Sequence, residues 1–564
     1  MRQTGGIISA PRLMLVLAFL VIVSYGRCVN YPFVYDDLPG ILDDPLISHA
    51  ETIGQASRAF LQPLRPATEF TYALTHSLFG FSRTAFHLTN VLIHLVNTFL
   101  VFGIGMVLAR RWLPDINPAH FAFVGAAVHA VHPMYTEAVT YVTGRSSSLC
   151  ALFYFACLLS VTQAVESRDV VRRRFWTCAA LVSGLLAWQA KEEAMTLPLI
   201  AAAFLMLVGH RRLAAGLMLV PIVLLTARWE AIANLYRVSA ANEPLAAFGL
   251  GAPVQTWPYV FSEIKAAVFY YMSHFAVPLT QSVDPYFRTV QSIVEPGFLV
   301  SAATILALTV VALRFSTTLP LFAFSIFALL VSPLLAYAFV PLPDLIAEHR
   351  VYIAGLGFDL LIAWLLSRSH KTLWLSTAAV IISLTTVTLA RNSVWASDID
   401  LWQQAERVAP NKLRPHLNLG AALQATDRSD QALVEYRHAL LIRSDLPLVY
   451  SNLGTIYLKQ GRIDDAEAML TRAIELSPRL PQAYINLASI AVNRKKADEA
   501  FDYLAKAEKA GALGDWLHFI RAEALELSGQ INAARSEYRT AEELSEDDRQ
   551  LHEEIQRRLE ISRK

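Results

Sequence analysis

The sequence predicts an all-α protein in two parts, a polytopic membrane helix bundle of about eleven spans followed by an α-solenoid. Two observations carry this. Residues 1 to about 390 hold run after run of 15 to 22 apolar residues, in a chain that is 54% hydrophobic with a mean hydropathy of +0.39. From Arg391 onward the chain turns polar and becomes rich in Ala, Leu, Glu and Arg, with small residues recurring every 34 positions. The first pattern is too apolar for a wholly soluble chain. The second is a repeat array.

A helix needs roughly 20 apolar residues to cross a bilayer. Spans are expected near 9–26, 86–109, 119–134, 146–165, 175–190, 194–209, 213–228, 298–313, 318–337, 351–367 and 372–390. Arg2 and Arg12 precede the first apolar stretch, but no Ala-x-Ala site follows, so this stretch reads as an uncleaved first helix. Glu263, Lys265 and His274 interrupt 263–280, which is expected to be re-entrant or interfacial. With the N-terminus in the cytoplasm, the loops at 110–118, 166–174, 210–212, Arg314 and 367–371 concentrate Lys and Arg, and the opposite side is acidic. An odd number of spans then puts the C-terminal array outside the cytoplasm.

The domain boundaries follow: 1–390 for the membrane domain, 391–412 for a connecting helix or half-repeat, 413–548 for four repeats and 549–564 for a terminal helix or tail. In the array, Gly420, Gly454, Ala488 and Ala522 share a phase, as do Ala432, Ala466, Ala500 and Ala534, and Ala439, Ala473, Ala507 and Ala541. Asn418-Leu419-Gly420, Asn452-Leu453-Gly454 and Asn486-Leu487-Ala488 repeat the context. This period resembles the tetratricopeptide repeat, which stacks helix pairs around a concave groove. The groove is expected to bind an acceptor protein or another partner; bracing the membrane part is the plainer alternative.

Near-neutral charge without a basic stripe argues against nucleic acid. Cys28, Cys150, Cys157 and Cys178 give neither metal spacing nor a disulfide framework. No His, Glu and Cys set has metal spacing, and no glycine-rich phosphate loop appears. Metal dependence stays open, because the adjacent aspartates Asp36 and Asp37 could hold a divalent ion.

The expected topology places many ionisable groups on one extracytoplasmic face, where a polytopic protein usually does chemistry or transport. Asp36-Asp37, just beyond the first span, could supply a base whose pKa partial burial raises; a solvated loop charge is the bland alternative. His132, Glu137 and Arg145 lie within 14 residues at a junction of two spans and could line a polar cavity or pin a turn. Arg65, Lys191 and Arg350 suit an anionic phosphate, although Glu192 beside Lys191 could simply neutralise it. Glu348 and Tyr352 extend the late motif, and His87 and His94 share a helix face seven residues apart.

Four segments together resemble the transmembrane and tetratricopeptide repeat O-mannosyltransferase group, including its bacterial relatives. They are Phe33-Val34-Tyr35-Asp36-Asp37; Arg65-Pro66 with Phe86-His87-Leu88-Thr89-Asn90-Val91-Leu92-Ile93-His94; His132-Pro133-x-x-Thr136-Glu137-Ala138-Val139 with Gly144-Arg145; and Lys191-Glu192. Glu348-x-Arg350-x-Tyr352 fits in part. The resemblance implies a GT-C glycosyltransferase fold that uses a polyprenyl-phosphate-linked sugar as donor. The implied reaction transfers a hexose such as mannose to an acceptor hydroxyl, on a protein, with inversion. Asp36 or Asp37 would be the base, with Glu137 in the catalytic set, and Arg65, Arg145, Lys191 and Arg350 would hold the donor phosphate. His87, His94, His132, Glu192, Glu348 and Tyr352 would line the site. The implied setting is the bacterial inner membrane with periplasmic repeats, or the endoplasmic reticulum with lumenal repeats in a eukaryote. Two rivals remain, a non-catalytic scaffold that recruits envelope proteins and a lipid or solute transporter. The depth of the charges separates them: a transport path needs charge through the membrane, an enzyme needs it at one lip.

Overall fold

The computed structural model describes residues 9–227, 230, 256–336, 344–368, 373–545 and 549–561. Parts of the expected 229–297 segment, the 367–371 connection and the 549–564 tail lie outside them. Every regular element among the described residues is helical. They divide into two compact units, one ending at Ala409 and one beginning at Pro410.

The first unit is a bundle of apolar helices whose ends are set by local chemistry. Helix α1 (Ala10–Tyr25) starts behind Ser9 with a proline in its first turn, where the missing N–H costs nothing. Helix α2 (Pro66–Phe79) starts the same way after Arg65. Helix α3 (Arg83–Trp112) runs 30 residues from a Ser82 cap to Arg110 and Arg111, basic residues that suit the negative end of a helix dipole. Asn117 caps α4 (Pro118–Val131). Helices α5 (Arg145–Glu166) and α6 (Val170–Ala190) form an antiparallel pair, the second capped by Asp169. Helices α7 (Leu197–Leu207), α8 (Thr256–Ala266), α9 (Pro296–Arg314), α10 (Pro320–Ala336), α11 (Gly355–Ser367), α12 (Leu373–Ser393) and α13 (Asp398–Val408) complete the unit.

Among the described residues, five helical stretches, 10–30, 83–112, 145–166, 296–314 and 374–396, are long and apolar enough to cross a membrane; 118–131, 320–335 and 355–367 are shorter apolar helices. At 213–228, where one span is expected, the chain forms Arg211–Leu217 and Val220–Ala227. Pro221 has no N–H to continue the first helix. The interrupted 263–280 segment is helical from Thr256 to Ala276, through a π-type stretch at Ala267–Met272. Close helix crossings use glycine: a Cβ on Gly357 would stand 2.4 Å from the Ser325 carbonyl of α10.

The second unit is four helix pairs: α14 (Leu413–Ala425) with α15 (Ser429–Ile442), α16 (Pro447–Lys459) with α17 (Ile463–Leu476), α18 (Pro481–Asn493) with α19 (Ala497–Lys509), and α20 (Asp515–Leu527) with α21 (Ile531–Leu544). Helix α22 (Arg549–Ile561) follows. Asp427, Gly461, Lys495 and Gly529, 34 residues apart, each take a positive φ (56°, 72°, 59° and 77°) between the helices of their pair. The asparagines stitch successive repeats: Asn452 donates to the Tyr436 hydroxyl at 3.0 Å and Asn486 to the Thr455 hydroxyl at 2.8 Å.

Candidate active site

The 26–65 loops and the junction after α4 bring the acidic pair into a defined setting. The two aspartates differ sharply. Asp37 is buried; one carboxylate oxygen accepts from the Thr143 amide at 2.8 Å and its hydroxyl at 2.6 Å, the other from the Val34 amide at 3.2 Å. Burial pushes its carboxyl up to about 7, and those donors only partly oppose it. Asp36 is exposed. Tyr35 before it sits in the left-handed region, φ 54°, a conformation that costs a tyrosine energy and persists where the surroundings over-determine it. Its amide donates to Asp398 at 3.1 Å, and its ring meets Tyr141 and Trp402. Arg65, φ 51°, repeats the strain just before Pro66.

Glu137 spends both carboxylate oxygens on the late motif. One accepts from the Glu348 amide at 2.8 Å and the other faces His349 Nδ1 at 2.7 Å. Glu348 in turn accepts from Tyr270 at 2.9 Å and Gln281 at 3.0 Å, and pairs with Arg391 at 3.4 Å. Burial raises both Glu137 and Glu348, and the Arg391 charge opposes it at each. His349 is held well below the usual imidazole range by burial, to which the charges of Lys191, Arg350 and Arg65 add. All three cations therefore act on this imidazole. Burial raises the Tyr141 hydroxyl, and Asp36, Asp37 and Glu137 reinforce it, so this side chain feels both halves of the site.

Each cation also has an acid. Arg65 forks onto Glu192, its Nε at 3.0 Å, and holds that carboxyl below the usual range against burial. Lys191 donates to Ser147 at 2.6 Å and lies 3.8 Å from Glu193; burial lowers it. Arg350 donates to the Asp344 carbonyl at 2.7 Å and lies 3.5 Å from Glu263.

Several expected site residues are enclosed by protein. Arg145 is sealed from solvent: Nε donates to Asn90 at 2.7 Å, Nη2 to the Phe86 carbonyl at 2.9 Å, Nη1 to the Thr71 carbonyl at 3.2 Å, and the guanidinium lies over Tyr72. His132 caps its own turn through Met134 and bonds the Phe275 carbonyl at 3.0 Å. His87 is buried on α3 beside the backbone of Tyr31, Pro32 and Thr140.

His94 and Tyr352 lie deeper, in a network that sequence reasoning missed. His94 Nδ1 meets the Tyr352 hydroxyl at 2.6 Å, His129 Nδ1 lies 2.8 Å from Asp359, and Tyr135 donates to Asp359 at 3.0 Å. Asp359 was a readable signal, an acid inside an apolar helix. Arg391 was another. Its guanidinium is buried, and among the described residues Nε and Nη1 have no hydrogen-bond partner. A cavity of about 1100 Å³ lies elsewhere in the first unit. It is lined by Arg111, Trp112 and Arg211, ~36 Å along α3 from His87 at the helical rise per residue.

Comparison with known proteins bears on both units. Residues 411–479 and 451–515 match the tetratricopeptide repeat family. A protein O-mannosyl-transferase of Caenorhabditis elegans is 26% identical over 450 residues, covering 76% of this chain and 62% of the relative. The protein O-mannosyl-transferase TMTC3 of Mus musculus is 24% identical, covering 78% and 52%, and TMTC1 of Homo sapiens 23%, covering 77% and 55%. The chain is similar to the protein O-mannosyl-transferases. It spans only half to three fifths of the length of these curated relatives. Among solved structures, ArnT from Cupriavidus metallidurans bound to undecaprenyl phosphate is 14% identical with a TM-score of 0.37, over 94% of this chain and 80% of that one. PilF of Pseudomonas aeruginosa is 20% identical with a TM-score of 0.24, over 32% and 87%.

Proposed function

We propose that this chain is an integral-membrane glycosyltransferase of the GT-C kind. It transfers a hexose such as mannose from a polyprenyl-phosphate carrier to a hydroxyl of a protein acceptor, on the extracytoplasmic face. The observation that carries the reading is the split acidic pair: an exposed Asp36 stands on a buried, fully engaged Asp37, next to a strained Tyr35. Asp36 is the base. It takes the acceptor proton as the acceptor oxygen attacks the anomeric carbon, the carbon–oxygen bond to phosphate breaks, and polyprenyl phosphate leaves with inverted geometry at the sugar. Asp37 positions it. Arg65, Lys191 and Arg350 receive the phosphate charge, exchanging their present carboxylates for it, and Arg391 brings two uncommitted guanidinium nitrogens. Glu137 orients the Glu348–His349 turn rather than moving a proton. The repeats bind the acceptor outside the cytoplasm.

A transporter would use ionisable groups within the bundle, which His94, His129 and Asp359 supply. These side chains are closed on one another and fully buried, which suits a structural network better than a path.

The test is transfer from a labelled polyprenyl-phosphate hexose by purified protein, with Asp36→Asn and Asp37→Asn beside the wild type. Turnover lost in Asp36→Asn with donor binding retained supports the assignment; full turnover in that variant removes Asp36 from the mechanism. A reporter fused after Lys564 that reads as cytoplasmic would overturn the topology.

A further inference from the structure

The repeat unit holds a constellation that the sugar-transfer reading does not use. Among the described residues, His416, Glu435 and His438 are a group whose potential ligand atoms all lie within 4.8 Å of one another. His416 stands on α14. Glu435 and His438 stand three apart on α15, so they share a helix face and both meet the histidine across the pair.

Each ring nitrogen of His416 faces an acceptor. Its Nε2 faces the Pro410 carbonyl at 2.8 Å and its Nδ1 faces a Glu435 oxygen at 2.7 Å. Both neighbours are acceptors, and a neutral imidazole carries one N–H. With that proton on Nε2, held by the carbonyl, the Nδ1 lone pair points at a carboxylate. This is the arrangement of a metal-ligating histidine, whose second nitrogen donates to a backbone carbonyl and so fixes the tautomer. His438 adds a second imidazole, its ring 5.4 Å from that of His416.

The fourth repeat supplies an internal comparison. His518 and Glu537, 102 residues on, form the equivalent pair, Nδ1 to carboxylate oxygen at 2.6 Å. There the position corresponding to His438 is Thr540. The His–Glu pair alone is thus a clamp between the two helices of a repeat. The added histidine makes the first repeat different.

We infer that His416, Glu435 and His438 bind one divalent transition-metal ion of the zinc class, cross-linking the two helices of the first repeat. Two imidazoles and a carboxylate suit zinc, with a water in the fourth position. His416 is buried and Glu435 partly buried, whereas His438 is exposed, so the ion would enter from the His438 side. With ligand bonds of about 2.0–2.1 Å and tetrahedral angles, Nδ1 and the carboxylate oxygen separate to about 3.3 Å. A rotation of the Glu435 side chain provides this.

The test uses the untagged full chain in detergent, stripped with a chelator and then dialysed free of it. Zinc is titrated against a chromophoric chelator, and cobalt binding is followed by its visible absorption. The wild type should take up one ion more than His438→Ala, with a tetrahedral cobalt spectrum and a zinc-dependent rise in melting temperature that the variant lacks. Glu435→Gln should weaken uptake at least tenfold, and His518→Ala should leave it unchanged. Equal uptake by the wild type and His438→Ala overturns the proposal and leaves a protonated His416–Glu435 pair only. Equal loss in His518→Ala overturns it too, by showing that the clamp and not the third ligand governs binding. His438 is exposed, so its substitution leaves the fold intact; an unchanged metal-free melting temperature verifies that.

Discussion

The membrane unit and the repeat unit treat charge in opposite ways. In the first, Arg145, Lys191, Glu348 and Asp359 are buried to within 2% of complete exclusion from solvent, and each is tied by short hydrogen bonds to residues far away in sequence. In the second, pairs such as Arg462–Asp465 and Arg472–Glu475 stand at the surface, where water screens them and they contribute little. Burying an ion is costly unless partners match it, so a chain keeps buried charges where they hold a geometry or do chemistry. Substitutions should therefore be severe and diverse in the first unit, and mild or purely steric in the second.

The sharpest test of that contrast lies within one dipeptide. Loss of a general base lowers turnover by about 10³-fold, which is the expected effect of Asp36→Asn in the transfer assay. Asp37→Asn acts on stability and its pH dependence. The carboxyl titrates at about 7 in the folded protein and near the ordinary aspartate value, about 3.9, when unfolded. The folded state thus holds the proton more tightly. Stability from this group is fully present below pH ~4 and is lost as pH rises through ~7. Melting temperatures from pH 4 to 8 should fall less steeply in Asp37→Asn than in the wild type. Parallel profiles would release Asp37 from that role.

Arg145→Leu should cost about 3 kcal/mol, because Asn90, Phe86 and Thr71 lose their buried donors. Thermal inactivation of the purified protein measures it. A melting temperature like the wild type's would mean the guanidinium is dispensable and return it to the list of phosphate ligands. Arg472→Ala, at the surface of the second unit, should leave the melting temperature where it was.

The same contrast explains what could be read from the chain. The repeat period was legible because close helix contacts demand small side chains at fixed phase, and Gly420, Gly454, Ala488 and Ala522 show it directly. Apolar length announced the bundle. Charge in an apolar chain marked Asp36, Glu137, Lys191 and Glu348 as residues worth placing. Their partners were not legible: Thr143 lies 106 residues from Asp37, and Asp359 lies 230 from His129. Pairing at that separation depends on helix packing, which no local pattern encodes. For the same reason the enclosed setting of Arg145 could not be told apart from that of Arg65, and His416 could not be joined to Glu435 and His438.

Within the repeats the comparison becomes steric. A Cβ on Gly420 would stand 2.6 Å from the Tyr436 ring, and overpacking of this kind costs about 1–3 kcal/mol. Gly420→Ala should lower the melting temperature of the repeat transition while leaving donor binding untouched. Loss of donor binding as well would show that the two units do not respond independently.

A smaller expected effect is a gain. The turn between paired helices requires a left-handed residue in every repeat, and the second and fourth repeats fill it with Gly461 and Gly529. The third uses Lys495 at φ 59°, exposed to solvent. A residue with a Cβ loses about 1–2 kcal/mol in that region, while glycine's greater freedom when unfolded returns about 0.5–1 kcal/mol of that difference. Lys495→Gly should therefore stabilise the repeats by about 0.5–1 kcal/mol, read as a higher denaturant midpoint at unchanged slope. A lower midpoint would mean that the Lys495 side chain contributes more to the surface of the array than its backbone strain takes away, and the turn would then be set by side-chain contacts rather than by the conformation its position imposes.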